Sequence, residues 1–330
     1  MPTLLLFNPE HDYALAYGGR NYMAPASVRS LASRMQLLPL LWGAEDDYIL
    51  TADNKVAQAG NISNIRALSE VIDSITCVDP WGWDEAVRCR LMTLGIPESL
   101  VADNKYIETV RRLSHRRISI ECNRYLGSNN IPQEFYTVEN AMEFALHNEG
   151  CYLKLPWSSG GRGVLSTGDL TTSQINEWVR GAIRRQGSVL GERKIDRQLD
   201  FASLWDIVDG KVKLDGLSLS ISDGRGKYKG NVFGSQEKIK NYIERFSKES
   251  LTPVLDLQES FIGKSIAPFY DGKLGIDMIC SSDGTIFPCV EINLRRTMGH
   301  VAMYYEARAD KHLPFKAQLI DIDSLKASCS

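Results

Sequence analysis

The sequence predicts an α/β domain at the N-terminus and, after it, a larger mixed α+β body. Three observations predict this. Strand-like and helix-like segments alternate through the first hundred residues. A helical stretch carrying a basic knot, RRLSHRR (111–117), then interrupts that rhythm. Beyond residue 200, two apolar stretches each break at a central Asp-Gly, the strongest short hairpin signal.

Taken in order, TLLLF (3–7) reads as a first core strand, and PASVRSLASRM (25–35) has helical spacing. NISNIRALSEVID (61–73) reads as a second helix, followed by the strand SITCV (74–78). WDEAVRCRLMTLG (83–95) is a helix closed by glycine, and the whole alternation predicts a parallel sheet. NIPQEFYTV (130–138) leads into the helix ENAMEFALHN (139–148) and the strand CYLKL (151–155). A glycine-rich turn, SSGGRGV (158–164), precedes the helix TSQINEWVRGAIRRQ (172–186) and the strand SVLGERKI (188–195). WDIVDGKVKL (205–214) and MICSSDGTIFPCVEI (278–292) are the two hairpins. Pro288 inside the second demands an edge strand or a bulge. SLKASCS (324–330) reads as a frayed tail.

A chain of 330 residues suits two or three lobes rather than one core. Hydrophobic content of 43% with 24% charged residues describes a soluble globular protein. A net charge of −3 argues against a general nucleic-acid binder, and RRLSHRR then reads as a solvated helix face. The first residues lack the basic segment of a signal peptide, and no stretch reaches the ~20 apolar residues of a membrane helix. Cysteines at 77, 89, 122, 151, 280, 289 and 329 form no C-x-x-C pair. They read as reduced thiols of a cytoplasmic protein and offer no zinc site.

Four stretches carry chemistry. In YLKLPWSSGGRGV (152–164), Lys154 on a strand can reach a phosphate while the loop's backbone N–H groups wrap other phosphate oxygens. The lysine precedes the glycines, so this is not G-x-x-x-x-G-K-[ST]; Gly160, Gly161 and Gly163 would equally suit a plain hairpin. In GERKIDRQLDF (191–201), Glu192 ends a strand, the backbone of Arg193 to Ile195 can face a base edge, and Asp200 can hold ribose hydroxyls. The plainer reading is a charged strand exit. In GIDMICSSDGTIFPCVEIN (275–293), the hairpin returns Asp277 to Glu291 and Asn293, which share one strand face. Two carboxylates and an amide oxygen make a hard site suited to magnesium, and a polar solvent-facing strand is the alternative. In LRRTMGH (294–300), Arg295 or Arg296 can stabilise developing negative charge, or either can be a surface residue. A fifth stretch, NPEHDYALA (8–16), follows the first strand at the end where α/β folds place ligands. Asn8, Glu10, His11 and Asp12 can contact an acceptor substrate there, with His11 a candidate proton carrier. They also fit a capped turn opening a helix.

The order of these motifs resembles the ATP-grasp superfamily, which includes D-alanine–D-alanine ligase, glutathione synthetase and biotin carboxylase. The resemblance covers residues ~105–310. EINLRR is similar to the family's Glu-x-Asn-x-Arg signature, and Lys154-Leu155-Pro156 stands where members have Lys-Pro. The resemblance implies an N-terminal domain over 1–115 and a two-lobed α+β unit over 116–330, with a small lobe to about 195 and a large lobe beyond it. It implies ATP held by Lys154, Ser159, Gly160, Gly161, Gly163, Glu192, Ile195 and Asp200, with Arg117 as an earlier phosphate-binding residue and Arg116 close behind. Asp277, Glu291 and Asn293 would hold magnesium or manganese, and Arg295 with Lys154 would serve the chemistry. The implied function is a carboxylate–amine or carboxylate–thiol ligase working through an acylphosphate on small-molecule substrates, away from nucleic acid and membrane; a homodimer is compatible. A small-molecule kinase on the same scaffold and a non-catalytic ATP-binding protein are the alternatives.

Overall fold

The computed structural model describes residues 1–158, 161–222, 228–308, 313–315 and 318–325. The chain opens with β1 (Thr3–Leu6), α1 (His11–Tyr17), α2 (Ala26–Arg34), β2 (Tyr48–Leu50), β3 (Lys55–Gln58), β4 (Asn61–Ala67), β5 (Cys77–Pro80) and α3 (Glu85–Thr93). Its strands form one sheet in the order β4-β3-β2-β1-β5. β1 runs parallel to β2 and β5, as the alternation demands, whereas β3 and β4 are antiparallel additions. The helix expected over 61–73 is therefore a strand followed by two short 3-10 turns. Ile62, Ile65 and Leu68 fall three apart and mimic a helical stripe. Yet Asn61–Ala67 alternates exposed and half-buried side chains with period two, and the turn at Ala59-Gly60 folds it back on β3. Leu4, Leu6, Leu50, Val56, Val78 and Leu91 make the core under this sheet.

Two helices, α4 (Asn104–Leu113) and α5 (Arg117–Tyr125), lead to a second sheet. Asp103 caps α4 by accepting the Tyr106 N–H at 2.7 Å. The second sheet contains β6 (Gln133–Phe135), β7 (Tyr152–Lys154), β8 (Val164–Ser166) and β9 (Val189–Glu192), in the order β6-β9-β7-β8. Helices α6 (Val138–His147) and α7 (Thr172–Gln186) cover one face, burying Ala141, Leu153, Val179 and Ala182. α7 starts in the capping box Thr171–Gln174 and stops at Gly187, whose φ of 84° ends the helix.

The third sheet is built from β10 (Arg197–Val208), β11 (Lys211–Ser222) and β12 (Tyr228–Phe233), then β13 (Gly272–Ser281), β14 (Ile286–Asn293) and β15 (Leu319–Asp321). Its order is β14-β13-β10-β11-β12-β15. Both Asp-Gly hairpins form: Asp209 and Gly210 take φ of 50° and 73°, and Gly284 takes 83°. Pro288 lies on β14 at the sheet edge, where its missing N–H costs no ladder bond. Helices α8 (Gln236–Glu244), α9 (Leu251–Ser265), α10 (Met298–Ala307) and the short α11 (Ile322–Leu325) complete the chain. One core joins Leu15 of α1, Val110 and Ile118 of the linking helices, and Trp205, Ile276 and Ile292 of the third sheet. That shared core fixes α1 against the edge carrying β13 and β14, which positions the site. Among the described residues no helix is long and apolar enough to cross a membrane. Cys77, Cys89, Cys122, Cys151, Cys280 and Cys289 are free thiols, and Cys329 lies outside the described residues.

Candidate active site

The antiparallel register of β13 and β14 puts Asp277 directly opposite Glu291 and Gly275 opposite Asn293. Opposed residues on one sheet face are near neighbours, so two carboxylates face each other at the sheet edge. Asn293 donates from Nδ2 to Asp277 Oδ2 at 3.1 Å. Burial, and next the Glu291 charge, push the Asp277 carboxyl up to about 7. Two carboxylates so placed repel each other, and with the Asn293 amide they make an all-oxygen donor set of the kind that fits a hard divalent ion. Among the described residues no three His, Cys, Asp or Glu side chains cluster; this set is two carboxylates and one amide. Asp200 on β10 adds its charge from nearby and raises Asp277 slightly further. It is held by Arg197 at 3.4 Å and Ser222 at 3.4 Å.

The two arginines after β14 part company. Arg296 leaves the site: its Nη1 and Nη2 donate to Asp79 at 2.8 and 2.7 Å, and its guanidinium lies 4.8 Å over the Trp42 ring. Arg295 stays, donating from Nη2 to Asn293 Oδ1 at 3.0 Å. Its other main partner is Asp12, reached from Nε at 3.0 Å and Nη2 at 2.6 Å. Of the NPEHD segment, Asp12 thus reaches this site, 283 residues away in sequence. Asn8 and His11 are each 1% exposed and serve the turn itself. Asn8 donates to the Gly82 carbonyl at 2.8 Å and to Asp84 at 3.2 Å, and His11 Nδ1 lies 3.4 Å from Asp84. A Cβ at Gly82 would come within 2.7 Å of the His11 ring, so glycine permits this packing. Sealed in this way, His11 anchors the turn rather than presenting itself as a proton carrier. Glu10 is largely buried, which raises its carboxyl; the Asp84 charge raises it further and Arg90 lowers it.

On the second sheet, Lys154 and Glu192 project from β7 and β9 and pair with each other, both 5% exposed. The register sets Tyr152 opposite Glu192, so Lys154 reaches it diagonally along the same face. The link 193–196 belongs to neither flanking sheet and carries Ile195, 7% exposed, between the small and large sheets. The glycine loop closes where the Leu155 N–H donates to the Gly163 carbonyl at 2.8 Å. Gly163 is required there, since a Cβ would meet Ser158 Cβ at 2.3 Å. Gly161 has a φ of 74°. Ser159 and Gly160 lie outside the described residues.

Arg117, expected at phosphate, turns away to Glu134, with N–O distances of 3.0 and 2.9 Å, and to Tyr136 at 3.0 Å. Its neighbour Arg116 reaches Glu291 instead. Arg116 precedes the first helical residue of α5, so the two side chains leave the chain in different directions. Buried to 6% exposure, Arg116 donates from Nη1 to Ser158 Oγ at 2.8 Å and from Nη2 to Glu291 Oε1 at 2.7 Å. One guanidinium thus spans from the glycine loop to Glu291. Beside it, burial lowers His115 to about 4, and the ring's Nδ1 accepts the Arg117 N–H at 3.0 Å. A neutral imidazole with its proton on Nε2, facing Glu134 at 3.6 Å, satisfies both contacts. Sequence reasoning missed Tyr13, which hydrogen-bonds Arg162 of the glycine loop, and Ser158. It also missed the role of Asp12 as partner of Arg295.

No protein-family model matches the sequence, and no curated protein does either. Solved structures do match. D-alanyl-alanine synthetase A from Vibrio cholerae aligns over 92% of each chain at 15% identity with a TM-score of 0.50. The D-alanine–D-alanine ligase from Coxiella burnetii aligns over 92% of this chain and 87% of its own, at 11% identity and a TM-score of 0.52. N5-carboxyaminoimidazole synthase from Aspergillus clavatus, solved with ADP and 5-aminoimidazole ribonucleotide, aligns over 97% and 79% at 14% identity and 0.50. The chain has the ATP-grasp fold.

Proposed function

We propose that this protein is an ATP- and magnesium-dependent ligase that joins a small-molecule carboxylate to an amine. The observation that carries the reading is Arg116, whose guanidinium touches both the glycine-loop hydroxyl of Ser158 and Glu291. A triphosphate lying between loop and carboxylates would meet cations on both sides. Asp277, Glu291 and Asn293 would hold magnesium, which would supply positive charge against the phosphates. Lys154 and Arg116 would neutralise the remaining phosphate oxygens, Lys154 exchanging Glu192 for phosphate. Glu192 and the link at 193–195 would flank the base, with Asp200 near the ribose.

A carboxylate oxygen of the substrate attacks the γ-phosphorus, the bond to ADP breaks, and an acylphosphate forms. The amine nitrogen then attacks the acyl carbon, phosphate departs, and the amine loses a proton to solvent. Arg295 would stabilise the anionic oxygens of both steps with the one Nη1 hydrogen not spent on Asp12, Asn293 or the Arg296 carbonyl. No protein nucleophile is needed; the work is positioning and charge neutralisation. Under this reading the neighbours' names, two of them D-alanine ligases, point to amino acids and small peptides as the first substrates to try. The test is a panel of these with MgATP, scored for free phosphate. Release that depends on a carboxylate and an amine together supports the proposal. ADP accumulating with a stable phosphorylated product and no free phosphate would convert it to a kinase.

A further inference from the structure

Arg295 and Asn293 form the middle of a chain of hydrogen bonds that begins in the N-terminal domain. Asp12 accepts from Arg295 Nε and Nη2; Arg295 Nη2 donates onward to Asn293 Oδ1; Asn293 Nδ2 donates to Asp277 Oδ2. A guanidinium can only donate and a carboxylate can only accept, so the two neighbours fix which end of the Asn293 amide faces which way. The carbonyl oxygen keeps a second lone pair, and Asp277 keeps Oδ1.

We propose that Asp12 is a positioning residue for the cation site, acting through Arg295; the inference rests on the reading of Asp277, Glu291 and Asn293 as metal ligands. Two physical arguments support it. Arg295 is 12% exposed and Asp12 13%, so neither charge has bulk water as an alternative partner. Glu291 and Asp277 are also close enough to attract Arg295. With Asp12 gone, the guanidinium would turn to those carboxylates and occupy the place a cation needs. The second argument is rigidity. Asp12 stands in the first turn of α1, and the residues before it are pinned by Asn8 on Gly82 and Asp84. A carboxylate on a clamped helix start holds its partner better than one on a free loop.

The experiment measures binding of a non-hydrolysable ATP analogue by calorimetry, with and without magnesium, across a magnesium titration. Removing a residue that orients a metal ligand typically weakens metal affinity about 10–100-fold. Asp12→Asn should therefore move the magnesium midpoint up by about that factor, while magnesium-free analogue affinity stays at the parent value. Asp12→Glu, which keeps the charge, should recover part of the shift. In an Arg295→Gln background, adding Asp12→Asn should change nothing further, because the residue through which Asp12 acts is already gone. That double variant also leaves no buried guanidinium unpaired, so it serves if Asp12→Asn alone folds poorly. A parent-like midpoint for Asp12→Asn, or an equal added shift in the Arg295→Gln background, would overturn the inference. Glu291→Gln is the control for the underlying site. If its midpoint also equals the parent's, the metal reading itself fails; if it shifts and Asp12→Asn does not, only the positioning role falls.

Discussion

Arg296→Ala separates the two arginines that sequence alone could not distinguish. Arg296 ties the end of β14 to the N-terminal sheet: two parallel N–H donations reach Asp79 at 2.8 and 2.7 Å, and the Arg296 N–H donates to the Trp81 carbonyl at 3.2 Å. Breaking a fully buried pair costs about 3–5 kcal/mol. Asp79 keeps 34% of its side-chain exposure, so solvent screening reduces this to roughly 2–3 kcal/mol. Loss of the contact over Trp42 adds about 1 kcal/mol. The sum, about 3–4 kcal/mol, corresponds to a fall in Tm of roughly 6–8 °C at about 2 °C per kcal/mol for a chain this long. Differential scanning calorimetry of the ligand-free protein reads it directly. Arg296→Lys should recover less than half, since an ammonium cannot form the two-pronged pair or lie flat on the indole. MgATP affinity should be unchanged in both variants. A Tm within 1–2 °C of the parent, together with lost MgATP binding, would mean that Arg296 faces the nucleotide and that the assignment of the two arginines is reversed.

Other consequences are open to measurement. MgATP should raise the parent Tm by mass action, about 2.7 kcal/mol of stabilisation at a hundredfold excess over Kd. Lys154→Ala should abolish most of that gain and lower the ligand-free Tm as well, because it strands the Glu192 carboxylate at 5% exposure. Amides of residues 161–163 should gain hydrogen-exchange protection on adding magnesium and a non-hydrolysable ATP analogue; equal exchange would favour a plain hairpin. His115 gives a pH signature. Its folded value, about 4, lies below the ordinary 6.5, so the fold prefers the neutral ring. The stability this represents is full above pH 6.5 and is lost as pH falls from there towards 4. Urea midpoints of His115→Asn at pH 7 and pH 5 should therefore differ less than those of the parent; an unchanged difference would assign the acid sensitivity elsewhere.

Local patterns made much of the fold legible. The capping box at Thr171, the Asp-Gly turns and the lysine before the glycine loop each state their geometry within a few residues. So did Glu291 and Asn293, because strand periodicity alone puts them on one face, and Pro288 announced the edge strand that carries them. NISNIRA failed for the complementary reason: its apolar residues satisfy both a spacing of three and an alternation of two, and only pairing with β3 decides between them. Arg116 and Arg117 failed because the start of a helix sends adjacent side chains apart, and no pattern in RRLSHRR says which one meets Glu291 and which meets Glu134.

The NPEHD segment is the informative case. Read locally, its four polar residues look like one recognition surface, but the fold assigns each a different partner. Asn8 and His11 are spent on Gly82 and Asp84, Glu10 is largely buried beside the charges of Asp84 and Arg90, and Asp12 crosses to Arg295. That last contact is legible only once Leu15 packs into the core beneath Ile276 and Ile292, bringing α1 to the edge of the third sheet. The apolar face of a seven-residue helix thus decides what its polar end can do. This makes a claim about Leu15→Ala. The substitution removes a side chain that is 1% exposed and should cost about 2–5 kcal/mol as a cavity. If α1 aligns Asp12, the variant should also weaken the magnesium dependence of nucleotide binding. A destabilised protein with a parent-like magnesium midpoint would show that the polar contact between Asp12 and Arg295 holds the turn in place without help from the core below it.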